Sequence, residues 1–318
     1  VIVKLATRGS DLARWQAGHV AAALRATGDV TVELHVLRTT GDRTHGVPLA
    51  EIGSVGLFTR EIDRAVLEGE ADLAVHSLKD LPGRMEPGLA IAAVLRRADA
   101  RDVFVAARGS RLRLDQLPPG SRVGTSSLRR RSLLLERRPD LTVADLRGNL
   151  DTRLDALDRD GGLDGAVLAR AGLLRLGRAD AAAEILEPPA WLPAAGQGAL
   201  AVVARGDDER VLARARQLDH EDTRACVTAE RALLRELQGG CQVPIGALAT
   251  LERGWICLDA FVGSVDGRRI VRGRWRGAVE QADAGGVVLA AQLEQDGARA
   301  IIDELREASI RLAGPSAP

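Results

Sequence analysis

Val123-Gly124-Thr125-Ser126-Ser127-Leu128-Arg129-Arg130-Arg131 is the clearest local motif of the chain. A strand end runs into three small polar residues, and a helix starts at Leu128 and is stopped by Pro139. A strand feeding a helix through a short polar turn is the repeating unit of an α/β sheet. The free N–H groups and dipole of a helix start favour an anion, and the Thr125, Ser126 and Ser127 hydroxyls add donors. Arg129 and Arg130 fall in the first turn, where cations oppose the dipole, a placement that is unfavourable unless an anion lies between them. The plain alternative is a capped helix with a solvated basic face.

The same alternation extends in both directions. Toward the N-terminus, Val3-Ala6 and Val32-Leu37 read as strands, and Asp11 can cap a helix running to about Ala26. Phe58-Glu68 reads as a helix stopped by Gly69, and Leu73-Val75 as a buried strand ending at His76-Ser77-Leu78-Lys79-Asp80. Toward the C-terminus, Val143-Leu146 reads as a strand that ends at Arg147-Gly148-Asn149, and Gly165-Ala169 as another, followed by a short Ala171-Leu176 helix. Gly198-Ala204 is one more strand, able to join either sheet. From about Asp207 two helices, then strands without intervening helices, then one final helix over Val287-Leu312 indicate a small α+β unit. The expected fold class is α/β: two sheets whose ligand site lies at the strand carboxyl ends, plus a small C-terminal domain with an antiparallel sheet.

Composition bounds the function. The chain has 318 residues, 46% of them hydrophobic and 28% charged, enough for two or three domains with real cores. Net charge is zero and aromatics are 2%, which weighs against nucleic-acid binding. No apolar run approaches a membrane span, no membrane partner is expected, and the opening Val1-Ile2-Val3 strand points to a cytoplasmic protein. Cys226, Cys241 and Cys257 lack CxxC spacing, so neither a disulfide framework nor a metal cluster is expected. Only Lys4 and Lys79 are lysines among 44 cationic residues. In a chain that habitually uses arginine, Lys79 is a departure.

Three strand ends carry arginines: Arg8-Gly9-Ser10, the Arg129-Arg130 turn, and Arg147-Gly148-Asn149 with Thr152-Arg153. Gly148 lets backbone approach a ligand, while Arg147 and Arg153 offer planar forks that grip carboxylates. Lys79 and Asp80 form either a surface pair worth about 0–1 kcal/mol or a site. As a site, Asp80 is the one carboxylate among many cations, and its purpose is chemical: stabilising a positive intermediate or moving a proton. At about 4 Å and an effective dielectric of 20, such a charge pair is worth roughly 4 kcal/mol. Cys241 sits in the Gly239-Gly240 loop, more exposed than Cys226 in a helix or Cys257 in a strand, which opens covalent chemistry beside the plain reading of an inert thiol.

Taken together these segments resemble the porphobilinogen deaminase (hydroxymethylbilane synthase) family. The resemblance is carried, in order, by Leu5-Ala6-Thr7-Arg8-Gly9-Ser10, Gly56-Leu57-Phe58-Thr59-Arg60-Glu61, His76-Ser77-Leu78-Lys79-Asp80-Leu81-Pro82 and the Val123–Arg130 motif. Leu146-Arg147-Gly148-Asn149, Ala195-Gly196-Gln197-Gly198-Ala199-Leu200 and Gly239-Gly240-Cys241-Gln242-Val243-Pro244 complete it. It implies two periplasmic-binding-protein-like α/β domains facing a cleft, with domain 1 formed by residues 1–96 and 195–215, domain 2 by 97–194 and domain 3 by 216–318. It implies a dipyrromethane cofactor joined to Cys241 by a thioether. The implied reaction condenses four porphobilinogen molecules head to tail, releasing ammonia each time, and then frees a linear tetrapyrrole. By resemblance, Lys79, Ser127, Arg129 and Arg130 hold the cofactor carboxylates, with Thr125 and Ser126 beside them. Arg8, Ser10, Gln16, Arg147, Gly148, Arg153, Arg175 and Gln197 serve the incoming or elongated rings, and Asp80 stabilises the azafulvene left by ammonia loss. A monomer is expected.

The family often has a lysine where Val55 stands, and Arg60 stands where a lysine is common; with Phe58 they belong to an expected mobile loop. The rival from another class is a non-catalytic two-lobed anion-binding protein, which fits the paired α/β halves but not the Cys241 loop.

Overall fold

The computed structural model describes residues 1–37, 59–158, 162–237 and 243–313. Val55, Phe58 and Cys241 lie outside them. The first half of the chain gives strands β1 (Ile2–Arg8), β2 (Thr31–Leu37), β3 (Leu73–Ser77) and β4 (Leu89–Val94), with helices α1 (Asp11–Ala26) and α2 (Arg60–Leu67). Next come β5 (Asp102–Ala106), β6 (Arg122–Gly124), β7 (Thr142–Ala144), β8 (Gly165–Ala169) and β9 (Glu184–Leu186), with helices α3 (Leu128–Arg137), α4 (Leu150–Asp155) and α5 (Arg170–Arg175). The chain then returns through β10 (Leu200–Arg205), which pairs with β3 and β4, so the strand left open above belongs to the first sheet.

Strand order is β2-β1-β3-β10-β4 in the first sheet and β7-β6-β8-β5-β9 in the second. In the first, β1 runs parallel to β2 and β3, and β10 runs antiparallel to β3 and β4. In the second, β6 runs parallel to β7 and β8, and β5 runs antiparallel to β8 and β9. The two sheets thus share one topology, each with one reversed strand: β10, which returns from later in the chain, in the first, and β5, which opens the run β5–β9, in the second. Strand alternation divides each core. Leu5 faces Val20 and Leu24 of α1, while its neighbour Ala6 faces Ile62 and Val66 of α2. Phe104 faces Leu133 and Leu134 of α3, while Val103 and Val105 face Leu154 and Leu173.

Beyond α6 (Glu209–Arg216), which packs on the first sheet, α7 (Glu221–Glu236) opens the third unit. A three-stranded antiparallel sheet follows: β11 (Ile245–Glu252), β12 (Trp255–Gly263) and β13 (Ile270–Ala278). The expected single final helix is two, α8 (Ala282–Leu293) and α9 (Arg299–Ala313), broken where Gly297 takes φ 110°. Its apolar spacing ran through Gly297 without registering the break. Two short apolar strands, β4 and β9, add to those expected. No described helix is long and apolar enough to cross a membrane.

The third unit grips both others. Glu230 on α7 is fully buried; it accepts two hydrogen bonds from Arg97 (2.6 and 3.2 Å), one from Gly196 N (2.6 Å) and one from Ala249 N (2.8 Å). Arg97 and Gly196 lie on the two segments where the chain crosses between the sheets. One carboxylate therefore ties both crossings to β11.

Candidate functional site

Each predicted strand-end motif lies at or just after the end of a parallel strand: Arg8-Gly9-Ser10 at β1, Lys79-Asp80 after β3, the Thr125–Arg130 turn after β6 and Arg147-Gly148-Asn149 after β7. After β3, Leu78–Asp80 forms one 3-10 turn that leaves Asp80 exposed and Lys79 half-buried. Asp80 shares a pocket with Arg8, Ser10 and Gln16, beside Thr59 and His76. Ser10, rather than Asp11, caps α1, its Oγ accepting from Ala13 N at 3.4 Å. Asp11 sits in the first turn, where its charge suits the dipole. Gln16 is buried and donates to Ser77 Oγ at 2.9 Å, fixing α1 to the turn that carries Asp80. Beneath the pocket the buried His76 ring faces Asp63 of α2 at 3.0 Å.

In the second sheet, the turn after β6 is built from its own hydroxyls. Thr125 Oγ1 accepts from Ser127 N (3.2 Å), Ser126 Oγ bonds both N and O of Leu146 (3.1 Å each), and Ser127 Oγ caps α3 by accepting from Arg130 N (3.5 Å). These bonds hold the start of α3 against the strand end of β7. Gly148 there has φ 104°, and a Cβ on it would lie 2.8 Å from Thr152 Cγ2, so only glycine fits. Asn149 caps α4, and Arg153 Nε donates to Gly148 O at 3.0 Å. Arg147 stands half-buried beside that turn. Arg175 reaches across to the first sheet, donating to Gly198 O (2.7 Å) with its guanidinium over the Trp15 ring (5.7 Å). Arg60 is exposed at the start of α2.

An anion does lie between Arg129 and Arg130, and the chain supplies it. Asp102, fully buried at the start of β5, takes Arg129 on Oδ2 and Arg130 on Oδ1, each at 2.8 Å. Both arginines are buried and extend to backbone carbonyls, Arg129 to Leu192 O (2.8 Å) and Arg130 to Val167 O (2.9 Å). The reading of a solvated basic face is thereby corrected, and Asp80 is not the one carboxylate of the cluster. Trp191 Nε1 donates to Asp102 Oδ2 (3.0 Å) and Gln197 Nε2 to Oδ1 (2.9 Å). Gln197 Oε1 in turn accepts from Lys79 Nζ (3.2 Å), so one unbroken chain of contacts joins the Lys79-Asp80 turn of the first sheet to the arginines of the second.

Electrostatics shows how closely these groups converge. Burial, and next Arg130, lower the Lys79 ammonium from 10.5 to about 8, with Asp80 and Asp102 opposing. Burial and Arg130 bring Arg153 down to about 10, again opposed by Asp80, so Arg153 feels charges on both sheets. Burial alone takes Arg175 to about 10. Burial pushes the Asp102 carboxyl up, but Arg129 and Arg130 overcome it and hold it well below the usual carboxylate range. Cations whose charge is costly to keep are poised to gain from an added anion. The Nε atoms of Arg129 and Arg130 are buried without a hydrogen-bond partner among the described residues. Such a donor set fits a ligand carrying several carboxylates.

Sequence reasoning missed Asp102, Trp191, Arg97 and Glu230. Asp102 did leave a signal, a charged residue heading the apolar run Val103-Phe104-Val105.

Comparison with known proteins finds relatives along most of the chain. Residues 3–214 match the family described as "Porphobilinogen deaminase, dipyromethane cofactor binding domain", and residues 224–295 match "Porphobilinogen deaminase, C-terminal domain". A porphobilinogen deaminase of Chlorobium chlorochromatii (strain CaD3) is 47% identical over 308 residues, covering 95% of this chain and 97% of that protein. Among solved structures, immunogenic lipoprotein A from Vibrio vulnificus aligns with 70% of this chain and 96% of its own at 14% identity and TM-score 0.43. Lipoprotein Tp32 from Treponema pallidum aligns with 68% and 90% at 13% identity and TM-score 0.43. By its sequence matches, the chain belongs to the porphobilinogen deaminase family.

Proposed function

We propose that this chain condenses four porphobilinogen molecules head to tail on a covalent dipyrromethane primer, releasing ammonia at each addition and a linear tetrapyrrole at the end. The observation that carries the reading is the continuous contact from Lys79 through Gln197 and Asp102 to Arg129 and Arg130, with the exposed Asp80 carboxylate beside it. When bound, dipyrromethane supplies the electron-rich pyrrole carbon from which the product grows. Cys241 is its attachment point, in the segment following α7. Lys79, Arg129 and Arg130 hold its carboxylates, and Thr125, Ser126 and Ser127 keep the helix start rigid while they do so.

Porphobilinogen carries an acetate and a propionate, so each addition brings two more negative charges into the cleft. Arg8, Arg147, Arg153 and Arg175 meet them, with Ser10, Gln16, Gly148 and Gln197 shaping the surroundings. Positive charge develops on porphobilinogen as its amine departs, and the Asp80 carboxylate stabilises that charge and accepts the pyrrole N–H. Arg60 opens α2 rather than a loop, and the mobile-loop role expected of Val55 and Phe58 concerns residues outside the described ones. Residues 1–96 with 195–215, 97–194 and 216–318 act as the three domains of a cytoplasmic monomer, with neither nucleic acid nor membrane as partner. Family membership leaves the non-catalytic binding protein without support.

Asp80→Asn keeps shape and removes charge. Its turnover of porphobilinogen should fall by about 100-fold or more, the scale of a lost electrostatic or general acid–base group. Near-normal turnover would remove Asp80 from the mechanism.

A further inference from the structure

Asp102 is costly where it stands. A buried carboxylate and two buried guanidiniums lose their hydration, and well-packed apolar side chains in their place are often as stable or more so. The arrangement is also incomplete as a structural bridge, since the Nε atoms of both arginines stay buried without a hydrogen-bond partner among the described residues. Each carboxylate oxygen divides its two bonds: Oδ1 takes Arg130 and Gln197, and Oδ2 takes Arg129 and Trp191. Two of these partners are the arginines of the anion cluster, and a third is the residue on which Lys79 rests. A carboxylate that served packing alone would have no reason to reach Lys79.

We infer that Asp102 is a positioning residue, an internal counter-anion that fixes the separation of Arg129 and Arg130 and, through Gln197, ties Lys79 to them as one preformed grip. The inference rests on the reading that these three cations hold a polycarboxylate ligand. With Asp102 in place, cations that would repel one another stand side by side before any ligand arrives, so the ligand meets a finished geometry. The charged groups acting on the Lys79 ammonium are Arg129, Arg130, Asp80 and Asp102, and of these only the two carboxylates favour its charged form. Removing the Asp102 charge therefore shifts Lys79 toward the neutral amine.

The composition of the chain permits a direct reading. Lys79 is one of only two lysines, and the exposed Lys4 serves as an internal reference. Competitive acetylation of the full-length chain across pH 6 to 11, read by peptide mass spectrometry, gives the titration of each amine without any turnover. Chains of equal adduct content, checked by intact mass, are compared. In the native chain Lys79 should titrate near 8. In Asp102→Asn it should titrate roughly one pH unit lower, with Lys4 unmoved. In Trp191→Phe, which removes a donor but leaves the Asp102 charge, Lys79 should stay at its native value. Unchanged Lys79 titration in Asp102→Asn overturns the inference, as does an equal shift in Trp191→Phe. Should Asp102→Asn not fold, Gln197→Leu cuts the bridge alone; Lys79 must again titrate lower, and a native value there overturns the inference. Formation of the tetrapyrrole by the native chain is a separate assay, so failure of the functional reading is distinguishable from failure of this one.

Discussion

Lys79 shows what one side chain contributes when its surroundings are set against its charge. Its ammonium is lowered to about 8 by burial and by Arg130, so the cleft loses a cation as pH rises through that value. Binding of the carboxylate-rich substrate, read as kcat/KM, should therefore fall above about pH 8. Stability should move the other way. Between about 8 and the ordinary 10.5 the unfolded chain holds more protons than the folded one, so the cofactor-free protein should gain stability with rising pH across that window. Opposed trends in kcat/KM and in thermal denaturation, measured on the native chain and on Lys79→Met, check this; the variant should lose both. Lys79 was legible because the chain otherwise uses arginine. Asp102 was not, because what makes it functional is a pairing across 27 residues of chain to Arg129 and 28 to Arg130, and spacing alone does not reveal which strand start meets which helix.

The element that presents both arginines paired by Asp102 is α3, with Arg129 and Arg130 in its first turn. Its turn and cap could be read from Thr125-Ser126-Ser127 because strand, turn and cap are local features with fixed residue preferences. What seats its far side could not. The β12–β13 hairpin of the third unit lies on α3, with Arg272 making two 2.6 Å bonds to Glu136 and Phe261 packed in the core that holds Leu133 and Leu134. Gly267 in that hairpin has φ 70°, and a Cβ there would lie 2.4 Å from Glu136 N and 2.6 Å from Ser132 O. Gly267→Ala should destabilise the protein by about 2–4 kcal/mol, combining a left-handed backbone with a backbone clash. Thermal denaturation checks it; an unchanged midpoint would mean that the hairpin does not bear on α3. The break at Gly297 was hidden for a related reason, since the apolar spacing of α8 and α9 runs through it and glycine within a helix is only mildly disfavoured.

Across the whole molecule, two sheets of one strand order are joined by the Lys79–Gln197–Asp102 contacts, and a third unit clamps the crossings between them. The α/β class was readable from alternating strands and helices, and the shared topology was not, because β5 and β10 pair with strands far from them in the chain. Glu230 shows the scale at which a single carboxylate can act, holding Arg97, Gly196 and Ala249 from three separate segments. Cys241 follows α7 in the sequence, so under the proposed function the third unit is both brace and anchor. Whether the cation cluster holds a polycarboxylate primer fixed to Cys241 is tested by intact-mass measurement of the purified chain. The expected result is a native mass raised by two linked pyrroles, with the increment absent from Cys241→Ser. An unmodified native chain that still makes the tetrapyrrole at full rate would contradict it.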